Sequence, residues 1–144
     1  MFVGEYSHNI DSKGRVIIPA KFREQLGEQF MITKGFEGCL FVYPMDEWDE
    51  LAEKLSRLPS NQKSARFIQR KFLSGAAEGE TDKQGKVLIT LPHREHACLT
   101  KEVVIVGVSK RVEIWDAQHW KDYIQSEEEM SAEEAAESLE DICF

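Results

Sequence analysis

Two stretches of this chain carry the same side-chain chemistry at the same offsets. Asp11-Ser12-Lys13-Gly14-Arg15 leads into Val16-Ile17-Ile18, and Asp82-Lys83-Gln84-Gly85-Lys86 leads into Val87-Leu88-Ile89. An Asp at the head of a turn accepts backbone N–H bonds two residues on, and a Gly in that turn takes a positive φ without steric cost. The pattern predicts a turn formed by Asp11 and Gly14, and again by Asp82 and Gly85, that delivers a cation to the first position of a strand. A cation so fixed suits phosphate oxygens and base edges, the first for affinity and register, the second for specificity. Arg15 is the candidate reader of guanine, because its planar fork can donate two parallel bonds. Lys13, Lys21 and Arg23 are candidates for nearby phosphates, with Lys83, Lys86 and Arg94 doing the corresponding work in the second copy. Lysine lacks the fork, which leaves base reading by Lys86 open against phosphate contact alone. Other roles stand beside these: Arg15 could pair with Asp11 and only brace the turn, and Arg23 and Arg94 could each meet an acid at a subunit contact.

The elements that must position these groups also repeat. Phe2 to Ile10 reads as a strand pairing with Arg15 to Ile18, and Pro19 suits the first turn of a short helix over 20–26 that Gly27 would stop. Phe30 to Thr33 and Cys39 to Tyr43 read as two more strands around Gly35-Phe36-Glu37-Gly38. A helix follows, with Asp46 as its expected N-cap and Trp48, Leu51, Leu55 and Leu58 at helical spacing before Pro59. The second half runs in the same order: strands at 77–81 and 87–89, a short helix at 92–97, and strands at 102–108 and 111–115. Gly35 aligns with Gly107, Tyr43 with Trp115 and Trp48 with Trp120. The expected fold is α+β, mainly β: two tandem β-β-α-β-β modules that neither stand alone nor close a core separately. The expected divisions are 1–58 and 76–125 for the modules with their helices, 59–75 for a linker helix and 126–144 for a tail.

Charge is unevenly spread. The formal net charge is −8, yet the segment from Glu127 to Asp141 holds eight acids and no base, and the rest of the chain then balances eighteen acids against eighteen Lys and Arg. A neutral body can carry a local basic face, which decides nucleic-acid affinity more than the net charge does. From Lys54 to Lys71 there are six bases and no acid. Lys63, Arg66 and Arg70 share one helical face there and Ala65, Ile68 and Phe72 another, which fits a second phosphate contact or a connector docked on a neighbour. In the tail, Ser131 and Glu134 have capping-box spacing.

Other chemistry finds little support. His93, His96 and Cys98 form H-x-x-H-x-C, but no second cluster completes a three- or four-ligand metal site. There is no G-x-S-x-G, no phosphate-binding glycine loop and no paired-carboxylate signature, so no enzyme and no cofactor is expected. Cys39, Cys98 and Cys143 contain no C-x-x-C and fit reduced thiols in the cytoplasm. No apolar run is long enough to span a membrane, and the N-terminus lacks signal-peptide features.

The paired D-x-x-G-[RK] turns, the opening M-F-x-G-E-Y-x-H-x-I-D, the linker F-L-S-G-A and the segment V-V-I-V-G-V together resemble the MraZ family over nearly the whole chain. That resemblance implies a bacterial transcriptional regulator built from two swapped-hairpin modules of the AbrB type in one pseudo-twofold barrel. It implies sequence-specific binding to short direct repeats in double-stranded promoter DNA of the division and cell-wall gene cluster, and a nucleoid-associated, ring-like homo-oligomer. In that family the basic turn faces DNA, which corresponds here to Asp11 and Arg15 and to Asp82 and Lys86. Lys86 in place of Arg, and Thr90 where the first copy has Pro19, depart from the pattern. The competing reading is an antitoxin-like protein-binding module of the same barrel type.

Overall fold

The structure is a computed structural model and describes residues 1–126 and 131–143. In chain order it contains β1 (Phe2–Asn9), β2 (Arg15–Ile17), α1 (Ala20–Leu26), β3 (Gln29–Lys34), β4 (Leu40–Pro44), α2 (Met45–Ser56) and α3 (Lys63–Ser74). There follow β5 (Ala77–Glu80), β6 (Lys86–Leu88), α4 (Leu91–Ala97), β7 (Glu102–Ser109), β8 (Arg111–Asp116), α5 (Ala117–Ile124) and α6 (Ala132–Glu137). No helix among the described residues is long and apolar enough to cross a membrane.

The strands pair across the two halves. A six-stranded antiparallel sheet runs β1-β7-β8-β4-β3-β5, and a separate ribbon pairs β2 with β6. Read from either end, the sheet order is the same once the halves are exchanged: the first strand of each half adds to the later hairpin of the other. β4 and β8 meet at the centre, with Phe41 opposite Glu113, and the ribbon centres on Val16 opposite Val87. Both centres lie between matching residues of the two copies, so the chain has an internal pseudo-twofold.

The central strands are largely apolar, with Glu113 of β8 the buried exception, because both of their faces are covered. On one face Phe30, Ile32, Val42, Ile105 and Ile114 pack with Val16, Ile18, Val87 and Ile89 and with Phe22 of α1. On the other, Phe41, Tyr43, Val104 and Trp115 pack with Trp48 and Leu55 of α2 and Phe72 of α3. Ala65 and Phe72 of α3 are buried, while Lys63 and Arg70 are exposed.

Several sequence expectations are corrected. β1 pairs with β7, Phe2 opposite Ser109 through Asn9 opposite Glu102, and not with β2. The Asp11 turn closes two backbone bonds, Asp11 N to Arg15 O at 2.9 Å and Gly14 N to Asp11 O at 3.0 Å, and the next residue back, Ile10, donates instead to Lys101 O at 2.7 Å. The flanking strands therefore diverge, and β1 takes the longer ladder along the Val-rich β7. Pro19 stands just before α1 as its cap, with an extended ψ of 139°, so its ring precedes the first helical turn. α2 begins at Met45 behind Pro44, and the Asp46 carboxylate accepts from Glu47 N, so Asp46 lies inside the helix and does not cap it. Gly35 opens a loop between β3 and β4, whereas Gly107 lies within β7 opposite Gly4 and Val112; the second hairpin turns more tightly, at 109–110.

Candidate nucleic-acid interface

Each Asp organises its turn through the backbone. Asp11 Oδ1 accepts from Lys13 N and from Arg15 N, both at 2.9 Å, and Asp82 Oδ1 accepts from Gln84 N at 2.8 Å and Lys86 N at 2.9 Å. Gly14 and Gly85 sit at φ of 80° and 79°, the left-handed region where a Cβ is strained. Hydrogen bonding to the charged form lowers a carboxyl pKa. Chiefly through the Arg15 N–H, Asp11 is held at about 2, and the Lys86 N–H pulls Asp82 down in the same way.

The two turns then lock onto each other. Ile18 N donates to Gly85 O at 3.0 Å, and Ile89 N donates to Gly14 O at 2.9 Å. Arg15 Nε donates to Asp11 Oδ2 at 2.9 Å, Arg15 Nη1 lies 3.7 Å from Asp82 Oδ2, and Lys86 Nζ lies 3.6 Å from Asp11 Oδ2. The four side chains form three sides of a square about the pseudo-axis, Lys86–Asp11–Arg15–Asp82, partly open to solvent. The bracing pair of Arg15 with Asp11 is thus present. It uses one of the five guanidinium donors, and the contact to Asp82 is too long for a hydrogen bond. A cleft lined by Ser7, His8, Asn9, Ile17 and Glu102 opens beside the square.

Lys13 and Lys83 are exposed on the turns, and Lys21 is exposed on α1. Arg23 and Arg94 reach across the fold. Arg23 Nη1 donates to Ile18 O at 2.6 Å and Arg94 Nη1 donates to Ile89 O. Their guanidinium groups lie over the glycine of the opposite turn: a Cβ on Gly85 would collide with Arg23, and one on Gly14 with Arg94. Each half therefore clamps the other half's turn with an arginine. The sequence repeat signals that the two arginines are equivalent, but spacing along the chain does not show that they cross over.

The H-x-x-H-x-C residues are pulled apart. His93 Nε2 bonds Gly75 O at 2.6 Å, His96 Nε2 bonds Cys39 O at 3.1 Å, and Cys98 is an exposed residue at the end of α4 with φ of 53°. Among the described residues no group of three His, Cys, Asp or Glu could hold a metal ion.

The comparisons with known proteins agree with one another. The family model for MraZ protein, described as antitoxin-like, matches residues 1–71 and again 72–143. Proteins named transcriptional regulator MraZ from Caldanaerobacter subterraneus subsp. tengcongensis, Lactobacillus gasseri and Halothermothrix orenii are 55%, 54% and 54% identical over 142 residues. In each case the match covers 99% of this chain and 99% of the relative. With two tandem matches and identity over the full length, the chain belongs to the MraZ family.

Proposed function

We propose that this protein is a transcriptional regulator that binds double-stranded DNA through the face built from the two turns. The observation that carries this is the ribbon β2–β6: it puts the cations of both copies, Arg15 and Lys86, on one partly open surface, with Lys13 and Lys83 exposed at its ends. A two-stranded ribbon fits the major groove of B-DNA. In this reading Lys13, Lys21, Lys83 and Lys86 neutralise phosphates and Arg15 reads guanine. Asp11 aims the guanidinium through Nε, so that the terminal nitrogens face the base. Arg23 and Arg94 act as clamps that set the turns. The proposed target is short direct repeats upstream of the division and cell-wall cluster and of its own gene. The proposed working form is a ring-like homo-oligomer in the cytoplasm, associated with the nucleoid. A purely structural oligomer would leave the paired cationic turns without a task.

The test is an anisotropy titration against the duplex upstream of its own gene and a scrambled duplex, at two salt concentrations. Wild type should prefer the upstream duplex and weaken with salt. Arg15→Ala should lose roughly 1–3 kcal/mol per site and most of the preference. Arg15→Lys, which keeps the charge, should recover affinity for both duplexes without recovering the preference. Equal binding of wild type to both duplexes would end the sequence-specific reading.

A further inference from the structure

The ribbon carries more than cations on its outward side. Side chains alternate along a strand. Val16 and Val87 are 0% and 1% exposed and point into the core, so Arg15, Ile17, Lys86 and Leu88 share the other face. Arg15 stands opposite Leu88, and Lys86 stands opposite Ile17. Each cation is thus paired across the ribbon with a large aliphatic residue, and Leu88 is 55% exposed. The pseudo-twofold relates the two pairs, since Ile17 and Leu88 hold matching places in the two copies.

Directly opposed residues on an antiparallel pair have Cβ atoms about 4.5–5.5 Å apart. That separation is of the order of one base step, about 3.4 Å along the duplex axis. Of the groups that bases present in the major groove, the C5-methyl of thymine is the apolar one. We propose that Leu88, with Ile17 at the related position, is a specificity-determining contact that reads a thymine methyl beside the base addressed by the cation across the ribbon. This rests on the DNA-binding reading above and adds to it a base preference: thymine next to the guanine contacted by Arg15. It also gives the second copy a means of base reading that does not depend on the fork Lys86 lacks. Leu88 needs no bond to its neighbours for this role, only the exposure it has.

The experiment uses the full chain and the duplex upstream of its own gene in two forms, one with thymine and one with deoxyuridine throughout, which differ in the C5-methyl groups. Wild type should bind the thymine duplex at least about fourfold more tightly, the value of one buried methyl-sized group. Leu88→Ala should shrink the ratio to the share that Ile17 still supplies, and Leu88→Met, which keeps an apolar reach, should restore it. Equal melting temperatures for the variants exclude a folding defect at this exposed position. The proposal is overturned if Leu88→Ala keeps the wild-type ratio, or if wild type binds both duplexes equally. Wild-type binding to neither form would overturn the DNA-binding reading itself, and this inference with it.

Discussion

Asp11 does two jobs with one carboxylate: Oδ1 collects the N–H groups of Lys13 and Arg15, and Oδ2 holds the Arg15 side chain. The first job is legible in the sequence, because Asp followed at three residues by Gly and at four by a cation is a local pattern with a local cause. The second was one of two open readings of Arg15, and chain spacing gives no basis for choosing between them. The carboxylate's environment has a thermodynamic consequence. Asp11 titrates near 2 in the folded chain and near 3.9 when unfolded, and Asp82 is shifted in the same direction. A depressed folded pKa adds stability that is complete above about pH 4 and is lost as pH falls toward 2. Melting temperatures measured from pH 5 to pH 2 should fall steeply through that window for wild type and less steeply for Asp11→Asn. An identical acid limb in the variant would show that the carboxylate is not held as described.

At the scale of elements, periodicity served well and partnership did not. The stripe of Ala65, Ile68 and Phe72 anticipated both the helix α3 and its buried side, since amphipathic spacing is a property of one segment. The partner of β1 was missed because a strand pattern states which face is buried and not which edge it will join. Pro19 and Asp46 were misplaced by one or two positions for a similar reason: a cap depends on where the preceding strand or turn ends. Phe72 shows what α3 contributes. It is 4% exposed, its ring stacks on Phe41 at 6.1 Å and meets Phe36 edge-on at 5.3 Å, and its carbonyl accepts from the buried Thr33 hydroxyl at 2.8 Å. Phe72→Ala should destabilise the protein by about 3–5 kcal/mol in a urea titration. A loss below about 1 kcal/mol would mean that α3 is a loose connector. The charge reversals Lys63→Glu and Arg70→Glu, on the exposed side, should leave stability nearly unchanged.

The whole molecule is held together by exchange between its halves. β1 and β5 each complete the other half's hairpin, Gly14 and Gly85 each accept a backbone bond from the other half, and Arg23 and Arg94 each cover the opposite glycine. The repeat at about 71 residues made two equivalent units legible, but a repeat looks the same whether its contacts lie within units or between them. Exchange couples the two turns: each is held from the other half by a backbone bond and an arginine. The net charge of −8 does not oppose this, since the acids in excess lie in the tail segment and outside the turns. The central claim is that both turns form a single DNA-facing surface, and amide hydrogen exchange with and without the upstream duplex tests it most directly. The account predicts that DNA slows exchange together in 12–18 and 83–89 while the exposed side of α3 and residues 131–143 are unchanged; protection of only one turn, or of α3 and not the turns, would contradict it.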